Sequence, residues 1–429
     1  MLFFSILLGK LSSFFIKAIL HRNASTWPGH LALESNPKLI KNILKDNQNL
    51  KVILIAGTNG KTTTTKALHH ILESNNISVI RNDSGANLLN GLASLLIKES
   101  NLNGKIYKDA LLFEVDENSL PLILREVKPE SIILLNLFRD QLDRYGEINT
   151  TSEKWAEALK RLPTDTTLIV NADDPQIVRI AKSSNCKNYF YSIKDSLKTE
   201  KVLAHAVDST TCPNCRNNLS YSKISYSHIG NFHCEKCNFT NPKAEIIDVE
   251  TQLKGSFNIY NLTASIIAAE EAFGIKKENA ISSLENFKPA FGRQEEINYK
   301  DKKIVMLLSK NPTGFNESLK IVLENNYSNL LLLLNDRIPD GRDISWIWDV
   351  DFEMLTGRKL NITISGDRTY DLANRLQYAE FSNLYVHEDL NKALEKALEK
   401  TSKEQKLVIL PTYSAMLELR KILTGKSIL

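Results

Sequence analysis

The sequence predicts an α/β protein with a mainly parallel sheet, on three observations. Short apolar runs alternate with helix-patterned runs through most of the 429 residues. A glycine-containing loop ending in Gly-Lys-Thr stands between one such strand and one such helix. A polar stretch carrying two Cys-x₂-Cys pairs interrupts the alternation. Strand, helix, strand in succession implies parallel strands covered by helices.

The first strand is Val52–Ala56, and Lys61–Glu73 follows with Ala67, Leu68, Ile71 and Leu72 on one helical face. Leu111–Val115, Ile132–Leu137 and Leu168–Val170 are the next strands. The rhythm breaks between about Thr199 and Lys243 and resumes with the helix Asn258–Phe273. Near Pro289–Arg293 a second α/β unit begins. Its strands are Leu330–Leu334, Leu360–Ile364, Leu384–Val386 and Leu407–Leu410, with helices near Asp371–Tyr378, Leu390–Leu398 and Tyr413–Leu423. The expected domains are an N-terminal helical segment (1–45), a central domain (46–295) with an insertion at about 205–242, and a C-terminal Rossmann-like α/β domain (296–429).

Composition narrows the function. Hydrophobic residues at 42% and charged ones at 24% are ordinary for a globular chain. A net charge of +4 gives no reason to expect nucleic acid as a partner. Met1 to Leu20 is mostly apolar, but Lys10 and Lys17 interrupt it, and neither a spanning run nor a signal-peptide pattern is present. The expectation is an amphipathic helix packed on the body; the sharper alternative is a helix resting on a membrane surface.

Gly57-Thr58-Asn59-Gly60-Lys61-Thr62-Thr63 has the strand–loop–helix setting of a phosphate-binding loop. Backbone N–H groups and the helix N-terminus would face phosphates, Lys61 would reach the terminal ones, and Thr62 would place its hydroxyl on Mg²⁺. The general loop would put its first glycine at Ile55, so this loop departs from it.

Cys212-Pro213-Asn214-Cys215 and Cys234-Glu235-Lys236-Cys237 are spaced as a four-thiolate structural Zn²⁺ site. His205, His228 and His233 nearby are expected to be surface residues, and Cys186 a buried small residue. Glu117 is expected at the surface, and Asp140 and Asp143 either line the site or cap a turn.

The phosphate loop resembles that of the Mur ligases and folylpolyglutamate synthetases. Leu112–Val115 is similar to the strand whose glutamate, here Glu114, binds Mg²⁺. Asn136–Gly146, Asn171–Pro175 and Gly255–Asn261 resemble further family strings, and Arg293 stands where the family has an arginine near the nucleotide. The resemblance implies that Asn258 meets adenine and that ATP activates a carboxylate. Gln141 departs from the family's histidine, and no lysine is in register with the modified one (Lys154 is displaced), so one Mg²⁺ is expected.

The second half resembles the MurT family in Ser309–Asn316, Ser345–Asp349 and Leu410–Leu417, and the resemblance extends over nearly the whole chain, including Asn82–Gly91. That resemblance implies amidation of the D-glutamate α-carboxylate of lipid II to D-isoglutamine through an acyl phosphate, with ammonia from a GatD-type glutaminase subunit. It implies that Asp349 completes the partner's Cys–His pair, although Asp351 is close in sequence. It also implies a cytoplasmic protein working at the inner face of the membrane. The alternatives are an amino-acid-adding ligase and a non-catalytic nucleotide-binding scaffold.

Overall fold

A computed structural model of the chain describes residues 1–19, 24–82, 85–140, 148–200, 203, 207–285, 287 and 293–425. Gln141, Asp143, His205 and the Arg293 side chain lie outside the described residues.

The larger sheet contains β1 (Lys51–Ala56), β2 (Val79–Arg81), β3 (Ala110–Val115), β4 (Ser131–Leu134), β5 (Thr167–Asn171), β6 (Lys187–Ser192) and β9 (Glu245–Ile246). Their order is β2-β3-β1-β4-β5-β6-β9, and every pairing is parallel. Five of the six β1 residues are buried, as a strand covered on both faces requires. Val52, Leu54 and Ala56 join one core with Ile6, Leu39 and Ile43 from the N-terminal helices. Ile53 and Ile55 join the other, against the helices Lys61–Ser74 and Ser256–Phe273. The chain runs from β1 outward to β2 and β3, then crosses back to β4 on the far side of β1. That reversal opens a crevice at the carboxyl end of β1, the usual ligand position in such sheets.

β7 (Ser220–Tyr226) and β8 (Ile229–His233) form a separate antiparallel hairpin within the cysteine-bearing insertion. The second large sheet has the order β10-β11-β15-β12-β13-β14, built from β10 (Arg293–Tyr299), β11 (Lys302–Leu307), β12 (Asn329–Leu333), β13 (Asn361–Ser365), β14 (Leu384–Val386) and β15 (Lys406–Pro411). The β10–β11 pair is antiparallel and the rest are parallel. This sheet thus starts at Arg293, ahead of the expected boundary at 296. The sequence reading contained neither β10 nor β11. β10 is a polar edge strand, and its turn is Lys300-Asp301, both at positive φ (46° and 59°), without the glycine that usually announces such a hairpin. No helix among the described residues is long and apolar enough to cross a membrane.

Candidate active site at the phosphate loop

β1 ends at Ala56 and the helix Lys61–Ser74 begins five residues on, with Gly60 as its cap at φ 93°. A Cβ at Gly60 would stand 2.2 Å from Asn261 Oδ1, so glycine is demanded by backbone shape and space together. The loop is pinned from β4's extension. Asn59 N donates to Asn136 Oδ1 (2.9 Å), Asn136 Nδ2 returns a bond to Asn59 O (3.0 Å), and Phe138 N donates to Thr58 Oγ1 (3.0 Å).

Lys61 Nζ donates to the Gly57 carbonyl and pairs with Glu117 at 3.2 Å. Glu117 is therefore a site residue, correcting the surface position expected for it. It is 5% exposed, and Trp155 Nε1 holds its carbonyl at 2.7 Å. Burial alone would raise its pKa, but the ammonium groups of Lys61 and Lys310 outweigh burial and hold it below the usual carboxylate range.

Thr62 Oγ1 donates to Glu114 Oε2 at 2.8 Å. Adjacent ligands of an octahedral Mg²⁺ at 2.0–2.1 Å lie about 2.9 Å apart, so the pair fits joint coordination. Glu114 is positioned by Asn82, whose side chain bonds both its N–H (2.9 Å) and its carbonyl (3.2 Å).

The C-terminal domain closes over the loop. Asn311 caps the helix Pro312–Glu324 and exchanges amide contacts with Asn59, at 3.1 Å for its own donor. Lys310 Nζ pairs with Asp140. Burial pushes the Asp140 carboxyl up, against the pull of Lys310, and its Oδ1 has no hydrogen-bond partner. Between the two domains lies a cleft of about 730 Å³, counting space open to solvent, lined in part by Asn59, Gly60 and Asn136. Tyr226, Phe257, Asn258 and Glu317 line the rest. Burial raises the Glu317 carboxyl to about 7 despite the neighbouring Lys320 ammonium. Lys154, the displaced lysine, is exposed on the helix Ile148–Leu159.

The four cysteines converge, with all sulfurs within 4.8 Å of one another and the pairs Cys212–Cys237 and Cys215–Cys234 at 3.6 and 3.5 Å. Thiolates 2.3 Å from a tetrahedral Zn²⁺ lie about 3.8 Å apart, whereas a disulfide needs about 2.0 Å. The donor set fits zinc. Each knuckle repeats the same turn: Arg216 N and Asn238 N bond back to Cys212 O and Cys234 O, both at 2.8 Å, and both residues have positive φ.

The expectation for His228 is overturned. It is fully buried at the tip of the β7–β8 hairpin, 3.5 Å from Asp174 and packed at a tilt with its ring 4.8 Å from that of Phe138. The hairpin thus reaches from the cysteine cluster to the interdomain cleft, where Tyr226 lines the wall. His233 is exposed, and Cys186 is buried with its thiol raised by burial, unsuited to nucleophilic work.

Asp349 ends a 3₁₀ turn, Ser345–Asp349, and its half-buried carboxylate meets Arg139 Nη1 at 3.3 Å. Asp351 instead exchanges two hydrogen bonds with the Asn316 side chain (2.9 and 3.1 Å), which fixes the turn. Trp346 packs inward on Phe315, while Trp348 is 45% exposed against Tyr378.

The Mur ligase middle domain profile matches residues 55–269, and the MurT ligase C-terminal profile matches residues 308–416. The lipid II isoglutaminyl synthase (glutamine-hydrolyzing) subunit MurT of Streptococcus pneumoniae is 32% identical, over 98% of this chain and 97% of its own. Its namesake from Staphylococcus aureus is also 32% identical, over 87% of each chain. Among solved structures, a pseudomurein peptide ligase type C from Methanothermus fervidus aligns with a TM-score of 0.68 at 22% identity, covering 92% of this chain and 83% of that one. MurF ligase from Thermotoga maritima in complex with ADP aligns at 0.62 and 17% identity, covering 91% and 82%. These two share the fold. Two profiles in their proper order, and identity sustained from end to end, place this chain in the MurT family.

Proposed function

We propose that this chain is the ATP-using synthetase subunit of a lipid II isoglutaminyl synthase, acting in the cytoplasm. It activates the α-carboxylate of D-glutamate in the stem peptide for amidation, with ammonia delivered by a GatD-type glutaminase subunit. The observation that carries this reading is the division of labour in the structure. Lys61, Thr62 and Glu114, the residues proposed to handle phosphate and Mg²⁺, lie largely enclosed within the chain, while the Asp349 carboxylate is 31% exposed outside the cleft.

The residues fit the chemistry as follows. Gly57 to Thr63 offer backbone N–H groups and a helix N-terminus to the ATP phosphates. Lys61, held on the loop by the Gly57 carbonyl and Glu117, is poised to turn toward the terminal phosphate when nucleotide enters. Thr62 and Glu114 would hold Mg²⁺, which supplies charge neutralisation on the phosphates. Asn258 and Arg293 belong to the nucleotide end. The carboxylate oxygen of the substrate attacks the γ-phosphorus, ADP leaves, and ammonia then displaces phosphate from the acyl phosphate. Cys212, Cys215, Cys234 and Cys237 would hold a structural Zn²⁺. Asp349 would orient the histidine of the partner's Cys–His pair. The domain limits 1–45, 46–295 and 296–429, with the ribbon at about 205–242, belong to the same proposal.

A glutamine-dependent amidation assay on lipid II, with and without a candidate glutaminase, tests it. Product should form only with both subunits and fall about a hundred- to a thousandfold in Lys61→Ala, the scale of lost transition-state charge stabilisation. Amino-acid ligation by this chain alone would overturn the reading.

A further inference from the structure

The helix Leu2–Ala18 has two apolar faces, and the protein body uses one. Ser5, Ile6 and Gly9 are buried against the helices Trp27–Ser35 and Leu89–Glu99; a Cβ on Gly9 would stand 2.8 Å from Ile97 Cδ1. The other face carries Phe3, Phe4, Leu8, Leu11, Phe14 and Phe15, from 42% to 73% exposed. At 3.6 residues per turn these six fall in an arc of about 140°. Trp27, 62% exposed, opens the next helix. Exposed apolar side chains elsewhere are ordinary when scattered singly; a contiguous aromatic ridge marks a contact surface.

Charge says what covers it. Lys10 and Lys17 border one edge of the arc, and the sequence has no acidic residue before Glu34. A protein-facing patch is rimmed by mixed polar groups. A ridge of phenylalanine and leucine bordered by lysine suits the headgroup boundary of an anionic bilayer. With 17 residues and two lysines the helix lies in the plane of the surface and does not cross it.

We propose that the Phe3–Phe15 face of the N-terminal helix docks on an anionic membrane surface, holding the catalytic domains beside a lipid-linked substrate. The docking rests on the surface itself, and its value to the enzyme rests on the function proposed above.

The test is flotation of the full chain with phosphatidylcholine vesicles containing or lacking phosphatidylglycerol, and no lipid II. Wild type should float with the anionic vesicles. Binding should weaken at least tenfold in Phe4→Ser/Phe14→Ser, and several-fold in Lys10→Ser/Lys17→Ser or at raised salt. The substituted phenylalanines are exposed, and unchanged thermal unfolding confirms the fold. The phenylalanine variant should amidate detergent-dispersed lipid II at the wild-type rate and lose rate on vesicle-embedded lipid II. Protein that stays in the aqueous layer overturns the proposal, as does a wild-type dimer that the phenylalanine variant makes monomeric. Flotation without amidation by any preparation would sink the function and sustain the docking.

Discussion

The phosphate loop and the Asp349 turn both hold charged side chains, yet they are built in opposite ways. At the loop, Lys61 and Glu117 are nearly buried, with side chains 12% and 7% exposed, and backbone, Trp155 and Asn136 fix their surroundings. Asp349 is 31% exposed on a 3₁₀ turn, with Arg139 as its ion-pair partner. Buried charge must be paired within the chain or it is unaffordable. Exposed charge can exchange one partner for another at little cost, because a solvent-accessible pair contributes only about 0–1 kcal/mol. One site is complete in itself, and the other is suited to a second protein.

Asp349→Asn should break that contrast most sharply. Glutamine-driven amidation is expected to fall about a thousandfold or more, in line with the loss of an orienting carboxylate, while ammonia-driven amidation persists. Parallel assays with glutamine and with ammonium chloride measure it; equal losses with both would place Asp349 in the synthetase site. Glu117→Gln should act on the other side, reducing ammonia-driven turnover about ten- to a hundredfold by leaving Lys61 without its buried partner. Unchanged kcat would return Glu117 to a packing role.

The metal proposed at the cysteine cluster offers a probe of the link between them. Cys215→Ser, or a chelator, should lower Tm and weaken nucleotide binding about tenfold, because the hairpin that ends at Tyr226 and His228 starts at the cysteine cluster. Calorimetric titration with a nucleotide analogue reads this, and unaltered affinity at lower Tm would make the ribbon a stabilising module only.

The smallest effect concerns Glu317, raised by burial to about 7. Its folded pKa exceeds the unfolded one, so its contribution to stability is present at low pH and lost as pH rises from about 4.5 through about 7. Ionisation also places negative charge in the cleft proposed to take the anionic nucleotide. Nucleotide affinity should fall a few-fold from pH 6 to pH 8, and Glu317→Gln should flatten that profile. A profile identical in the variant would assign the titration elsewhere.

What was legible in the sequence was local. The phosphate loop, its strand and its helix are neighbours along the chain, and β1 and the helix Lys61–Ser74 form close to where periodicity put them. The cysteine pairs were legible because ligand spacing is itself local. Glu117 and His228 were misread because distant segments bury them. Trp155 and Lys61 enclose the first, and Asp174 and Phe138 the second. Lys310 was one residue in a family string, with nothing to say that it would travel to Asp140. Asp349 and Asp351, inseparable in sequence, part company once Asn316 claims the latter.

Arg139 and Asp140 are consecutive, and each grips a different element of the C-terminal domain, Asp349 for one and Lys310 for the other. Under the proposed function, a two-residue clasp therefore joins the place where carboxylate is activated to the place where ammonia is requested. Arg139 also bonds Asp208 within the cysteine-bearing insertion, so this one residue fastens the insertion and the Asp349 turn to the same segment.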